Sequence, residues 1–143
     1  MNVLIDLNIV LDVLLVRETW LADSKAIWDA NHEKRIRGYL AATELTNLFY
    51  IARRIVGQEK ARAGVRTCLD SFEVVAVSHA LLKNADAMAG NDFEDNVCIG
   101  CALSAGLDGL VTRNPDDFAN SSLAVYTPAQ LLVHLAKTQP APP

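Results

Sequence analysis

Five short apolar runs recur along the chain, and each is followed by one or two longer segments in which apolar residues have helical spacing. The runs are MNVLID from residue 1, GYLAA from 38, FEVVAVS from 72, LDGLVT from 107 and LAVYT from 123. Strands that alternate with helices are joined by crossovers and pair in parallel. The sequence therefore predicts an α/β domain of three layers, α/β/α, with a central, mainly parallel sheet of about five strands.

The segments between these runs predict seven helices and one short helical turn. Their expected ranges are about 9–16, 23–35, 44–57, 58–70, 79–89, 93–105 and 128–137, with the short turn following Pro115. Asn8 and Thr127 are expected N-caps, and Gly57 is an expected C-cap. A chain of 143 residues that is 51% hydrophobic can bury a substantial core. We therefore expect a single domain over residues 1–137, with a disordered tail at 138–143.

Composition narrows the class of protein. No apolar run reaches 18 residues, and the apolar N-terminal segment is interrupted by Asp6 and Asp12 and lacks the features of a signal peptide. The cysteines, which are Cys68, Cys98 and Cys101, are odd in number and lie in apolar segments, unlike a secreted disulfide framework. These features predict a soluble cytoplasmic protein with reduced thiols and no membrane association.

Charge is distributed unevenly. The formal net charge of -4 weighs against a nucleic-acid partner, yet residues 34–66 hold eight basic and two acidic residues and so carry +6, which leaves -10 on the remainder. The basic residues are Lys34, Arg35, Arg37, Arg53, Arg54, Lys60, Arg62 and Arg66. The segment can be an ordinary solvated helix face or a basic patch beside an acidic site.

Acidic residues follow four of the predicted strands. Asp6 follows the first strand, Glu44 the second, DFED at 92–95 the third strand and its helix, and Asp116 with Asp117 the fourth. Because the carboxyl ends of parallel strands meet at one edge of a sheet, which is where ligands bind, we expect these acids to lie close together.

Helix capping explains part of this pattern, since Asp92 can be an N-cap and acids in a first turn interact favourably with the helix dipole. Glu44 and Asp95, however, each begin an apolar stripe, followed by Leu48, Ile51 and Ile55 or by Cys98, Ile99 and Ala102. Buried carboxylates are costly unless they are paired, and a hard divalent cation such as Mg²⁺ or Mn²⁺ would offset their repulsion. The pattern therefore favours a metal site.

The ordered set of motifs resembles the PIN-domain nucleases, the group that includes the VapC toxins of toxin-antitoxin pairs. The matching stretches are VLIDLNIVLDVLL, AATELTNLFY, DFEDNVCIGCALSAGLDGLVTRNPDDF and VYTPAQLL. Together they span nearly the whole chain, and the ordered set with TRNxxDF near its end is more specific than any single motif. The resemblance implies a PIN-like fold and Mg²⁺- or Mn²⁺-dependent hydrolysis of phosphodiester bonds in single-stranded RNA.

Carried onto this chain, the acidic quartet of the family falls on Asp6, Glu44, Asp95 and Asp117. Asp117 directly precedes Phe118 in TRNxxDF, so it is preferred over Asp116. The resemblance implies that Asp6, Asp95 and Asp117 bind metal and that Glu44 orients or deprotonates the attacking water.

Asn8 and Asn114 are candidates for positioning carboxylates or substrate, although Asn114 can also be a helix cap. The resemblance leaves the roles of Asp92, Glu94 and Asp116 open. It also implies a homodimer and an antitoxin protein that docks near residues 34–66 or at the mouth of the site.

Three other interpretations compete. The CxxC at Cys98 and Cys101 would suit thiol redox chemistry, but Cys98 lies beyond the first helical turn and close to an acid. An aspartyl phosphatase would use Asp6 as nucleophile, but such enzymes commonly carry a second aspartate where this chain has Asn8. The main alternative is a non-catalytic PIN-like module that binds RNA or protein.

Overall fold

The computed structural model describes residues 1–139 and shows a sheet of five strands with order β3-β2-β1-β4-β5. The strands are β1 (Asn2–Ile5), β2 (Arg37–Ala41), β3 (Glu73–Val75), β4 (Gly109–Val111) and β5 (Ala124–Tyr126). Every pairing is parallel. The predicted α/β/α fold with a central parallel sheet is confirmed, and the tail expected at residues 138–143 lies, from residue 140 onward, outside the described residues.

Seven α-helices and one 3₁₀ helix connect and cover the strands. They are α1 (Leu7–Leu14), α2 (Glu18–His32), α3 (Ala42–Val56), α4 (Gln58–Ser71), α5 (His79–Ala87), α6 (Phe93–Ser104), the 3₁₀ helix Pro115–Phe118 and α7 (Pro128–Thr138). Thr127 caps α7 by accepting a hydrogen bond from the Gln130 backbone, as predicted. Within residues 1–139, none of the helices has both the length and the apolar character that crossing a membrane requires.

The central strand β1 separates two hydrophobic clusters, because successive side chains of a strand point to opposite faces. Val3 and Ile5 pack with α1, α2 and α7, whereas Leu4 packs with α5 and α6. All three side chains are fully buried. The sheet is therefore covered on both faces, and its carboxyl edge is where the predicted acids emerge.

Several predicted boundaries of helices and strands are wrong. The N-cap of α1 is Asp6 rather than Asn8; Asn8 lies in the first turn, where its Oδ1 accepts a hydrogen bond of 3.5 Å from Arg17. Helix α2 begins at Glu18 and ends at His32, earlier at both ends than predicted. Strand β3 has three residues instead of the seven predicted; it lies at the edge of the sheet and pairs only with β2.

Candidate active site

Asp6 lies where β1 ends, between the two strands that flank it. Its backbone N–H donates to the carbonyl of Val111 at 2.9 Å, and its Oδ2 accepts a 2.9 Å hydrogen bond from Thr112 Oγ1. Burial raises the pKa of Asp6, against the opposing effects of the Thr112 hydrogen bond and the charge of Arg113; the charge of Asp117 raises it further. These contacts fix the carboxylate at the carboxyl edge of the sheet.

Glu44 lies in the first turn of α3 and is only 5% exposed. One oxygen, Oε1, accepts a hydrogen bond of 3.0 Å from Cys98 Sγ, whereas Oε2 is buried without a hydrogen-bond partner in residues 1–139. Burial, followed by the charge of Asp6, raises the pKa of Glu44 to about 8. The site therefore holds a buried carboxyl group with one oxygen available to a further ligand.

Asp95 lies in the first turn of α6, partly buried, while Asp92 caps that helix by accepting a 3.0 Å hydrogen bond from the Asp95 backbone. Burial raises the pKa of Asp95 to about 7, and the charges of Asp92, Asp6 and Asp117 add to the effect. Glu94 is exposed. The capping residue and the proposed metal ligand are thus different members of DFED.

Asp117 lies in the 3₁₀ helix and is exposed. Its charge is among those that raise the pKa values of both Asp6 and Asp95, which places it beside them. The four predicted acids therefore form one electrostatically coupled group, delivered by β1, α3, α6 and the turn after β4. Their individual roles in catalysis stay a prediction.

The two asparagines have other contacts. Asn8 accepts its hydrogen bond from Arg17. Asn114 is exposed, its backbone N–H donates to Thr112 Oγ1 at 3.1 Å, and its side chain makes no capping hydrogen bond with the 3₁₀ helix. Asn114 therefore has an amide available at the site, whereas that of Asn8 is engaged.

The acidic group consists of oxygen donors, which are the ligands that a hard divalent cation prefers. In residues 1–139, no three or more His, Cys, Asp or Glu side chains are arranged so that they could hold an ion as they stand. The chemistry of the donors nevertheless fits Mg²⁺ or Mn²⁺, because all are carboxylates, the charge of Asp6 raises the pKa values of Glu44 and Asp95, and Glu44 Oε2 has no hydrogen-bond partner in residues 1–139. Two of these carboxylates together with water ligands would be enough to hold such an ion.

An ion pair beside the site escaped the sequence analysis. Asp12 is fully buried, and its Oδ2 lies 2.9 Å from Arg113 Nε, while Arg113 Nη2 donates to Oδ1 at 3.2 Å. Ser24 donates to Asp12 at 2.8 Å, and the Arg113 guanidinium lies 4.3 Å from the centroid of the Trp20 ring. This network holds the positive charge of Arg113 near Asp6. The sequence contains one indication of it, because Asp12 is an acid within an apolar helix and a buried acid requires a partner.

The thiol-redox interpretation does not fit the cysteines. Cys98 and Cys101 are buried and form no disulfide. Burial, with the charge of Glu44, raises the pKa of Cys101 to about 11 and that of Cys98 well above its usual value. A reactive thiolate needs a lowered pKa, so neither residue is suited to thiol redox chemistry.

Comparison with known proteins agrees with this architecture. The toxin-antitoxin complex from Klebsiella pneumoniae gives a TM-score of 0.65 at 20% identity, covering 88% of this chain and 97% of that chain. The VapC toxin from Mycobacterium tuberculosis, described as cleaving the sarcin-ricin loop, gives a TM-score of 0.67 at 13% identity, covering 82% of this chain and 93% of that chain. VapBC from Rickettsia felis, bound to a promoter DNA fragment, gives a TM-score of 0.63 at 15% identity, covering 89% of this chain and 98% of that chain.

At these identities the solved structures establish the fold alone. A search of curated proteins gives no significant match. A family model described as the PIN domain matches residues 2–116, which is most of the chain and includes three of the four acids. The chain belongs to the PIN-domain family.

Proposed function

We propose that the protein is a metal-dependent endoribonuclease that hydrolyses phosphodiester bonds in single-stranded RNA. The PIN domain is a nuclease family, which supports phosphodiester hydrolysis. The observation that carries the proposal is the grouping of Asp6, Glu44 and Asp95 at the carboxyl edge of the sheet, where burial and the charges of neighbouring acids raise all three pKa values. Such a group is stabilised by binding a cation.

Each acid has a proposed part. Asp6 and Asp95 hold the principal Mg²⁺ or Mn²⁺ ion, and Asp117 is a further or water-mediated ligand. When bound, the ion supplies charge that polarises the phosphoryl group and favours an ionised water. In the metal-free protein, burial and the charge of Asp6 raise the pKa of Glu44 to about 8. A bound cation would favour its ionised form, which is suited to orient the attacking water and accept its proton. Asn114 is positioned to contact substrate or a carboxylate.

The fold shared with toxin-antitoxin complexes supports a toxin role. In this proposal the protein is cytoplasmic and homodimeric, and an antitoxin docks near residues 34–66 or at the mouth of the site and blocks it. Co-expression with the product of a neighbouring gene tests this role. Co-purification and relief of growth arrest would support it, whereas a harmless monomer on overexpression would count against it.

A non-catalytic PIN-like module that binds RNA or protein is the second candidate. It is favoured by the lack, in residues 1–139, of an acidic cluster already arranged for a metal ion. A binding module, however, has no need to retain four acids that destabilise one another. RNA cleavage distinguishes the two candidates, because only the nuclease cleaves the RNA that it binds.

The test uses purified protein and a mixed single-stranded RNA in Mn²⁺, in Mg²⁺ and in EDTA. Wild-type protein should cleave with either metal and not in EDTA, and Asp6→Asn or Asp95→Asn should abolish cleavage. Asp86→Asn, which removes an exposed acid on α5, is the matched control and should cleave normally. Cleavage that persists in EDTA would disprove the metal mechanism, and binding without cleavage under every condition would favour the module.

A further inference from the structure

A small cavity of about 200 Å³ opens beside the acidic group, between the start of α1, the side of α3 and the start of α6. Its lining residues are Leu7, Asn47, Tyr50, Ile51, Arg54 and Glu94. Leu7 directly follows Asp6 in the chain, and Glu94 directly precedes Asp95. The cavity therefore adjoins the acids, and a substrate whose phosphate lies at the acids would reach into it with an adjacent group.

The α3 wall of this cavity combines an exposed aromatic ring with positive charge. Tyr50 is 53% exposed, and the Arg53 guanidinium lies 4.7 Å from the centroid of its ring. Neither Arg53 nor Arg54 forms an ion pair with an acid in residues 1–139. Exposed aromatic rings on which bases stack, beside arginines that attract the backbone, are typical of single-stranded nucleic-acid sites.

Polar groups from α3 and α6 also line the cavity. The Asn47 side-chain amide donates to the Glu94 carboxylate, which joins α3 to α6 at the rim. An amide and a carboxylate are the groups that pair with the edges of nucleobases, since a carboxylate accepts from an exocyclic amino group. The volume of about 200 Å³ lies below the roughly 300–1,000 Å³ of pockets for drug-sized ligands and suits one planar group.

We infer that this cavity is a nucleobase subsite for the nucleotide next to the scissile phosphate. The base stacks on Tyr50 against Ile51 and Leu7, Arg54 neutralises a neighbouring phosphate, and the Asn47–Glu94 pair contacts the base edge. This inference rests on the proposed function, because it names the substrate contact of the same site. A second copy of the chain or another protein is the competing occupant of the exposed α3 surface.

The test measures the affinity of a fluorescein-labelled, mixed-sequence single-stranded RNA by anisotropy, in an Asp95→Asn background that stops turnover. Tyr50→Ala should raise Kd roughly 5- to 150-fold, because base stacking is lost, whereas Tyr50→Phe should keep wild-type affinity. Arg54→Gln should reduce the slope of log Kd against log salt by about 0.7, the loss of one phosphate contact. In protein with Asp95 intact, Tyr50→Ala should raise KM more than it lowers kcat.

Lys137→Gln provides the matched loss of one positive charge. Helix α7 leaves the carboxyl edge after β5, and its C-terminal Gln139 donates to the carbonyl of Arg35 just before β2, so Lys137 lies toward the opposite edge. The Kd of the Lys137→Gln protein, and the slope of its log Kd against log salt, should equal those of the parent protein. Thermal melts of every variant check that these surface changes leave the fold intact.

The outcomes separate the inference from the proposed function. Wild-type protein that cleaves RNA, together with Tyr50→Ala that binds RNA as tightly as the parent, would overturn the subsite and leave the nuclease standing. Wild-type protein that neither binds nor cleaves RNA would overturn both. If Tyr50→Ala changes the oligomeric state in light scattering but not RNA affinity, the α3 surface is a protein interface and the subsite is wrong.

Discussion

The Cys98 thiol donates a hydrogen bond of 3.0 Å to Oε1 of Glu44 and so joins α6 to α3 beneath the acidic group. Both side chains are buried, and the other oxygen of Glu44, Oε2, has no hydrogen-bond partner in residues 1–139. Burial and the neighbouring Glu44 raise the pKa of Cys98, so the thiol keeps its proton and remains a donor. Cys98 is therefore a positioning residue for Glu44.

Removing this donor should destabilise the protein. Cys98→Ala leaves Glu44 Oε1 without its partner, and an unsatisfied buried acceptor costs about 1–3 kcal/mol in the free energy of unfolding. Cys98→Ser keeps a donor at the same position and should lose less. Urea unfolding in EDTA compares the variants, with Cys68→Ala as a control for deleting a buried thiol elsewhere. Equal losses for Cys98→Ala and Cys98→Ser would show that the hydrogen bond contributes nothing.

The metal-free protein should lose stability as pH rises. The pKa of Glu44 is raised from 4.5 to about 8, so the folded state favours the protonated form. Its stabilising contribution is complete below pH 4.5 and is lost as pH rises through about 8. The free energy of unfolding in EDTA should fall by on the order of 2–4 kcal/mol between pH 5 and pH 8. Asp95, with a pKa raised to about 7, acts in the same direction.

Glu44→Gln isolates this effect, because the amide does not ionise. Its urea-unfolding free energy should fall clearly less than that of the wild-type protein between pH 5 and pH 8. The exposed Glu59→Gln on α4 is the control and should retain the wild-type pH dependence. Parallel pH curves for Glu44→Gln and wild type would mean that Glu44 does not carry the predicted shift.

The Asp12–Arg113 ion pair should matter more than the surface pairs. Asp12 is fully buried and Arg113 is 14% exposed at the side chain, so Asp12→Ala leaves a nearly buried guanidinium without its partner. Removing one partner of a buried pair costs about 3–5 kcal/mol. Asp29→Ala breaks the exposed pair with Lys25 and should cost less than about 1 kcal/mol. Urea midpoints of the two variants measure the difference; similar losses would contradict a buried network.

Much of this architecture was readable from the sequence. The alternation of strands and helices predicted the parallel sheet, and the position of acids after strands brought Asp6, Glu44, Asp95 and Asp117 to one edge. Helical phase predicted that Glu44 would be buried, and its exposure is 5%. These features depend on local spacing, which a single sequence displays directly.

Features that depend on tertiary packing were not readable. The stripe that begins at Glu44 was expected to be buried, yet Ile51 is 37% and Ile55 is 63% exposed. The pairing of Asp12 with Arg113 spans 101 positions, and no local pattern specifies such a contact. The cavity beside Tyr50 likewise arises where three separate helices meet.

Binding of Mn²⁺, measured by isothermal titration calorimetry, tests the central claim most directly, because that claim is that the acids at the carboxyl edge of the sheet hold a cation. Wild-type protein should bind at least one Mn²⁺, and the doubly substituted Asp6→Asn/Asp95→Asn protein should show no binding. The matched Asp70→Asn/Asp86→Asn protein, which loses two exposed acids on α4 and α5 and has the same change in charge, should bind as the wild type does. Wild-type protein that binds no Mn²⁺, or equal binding by the Asp6→Asn/Asp95→Asn protein, would contradict the claim that these acids form a metal site.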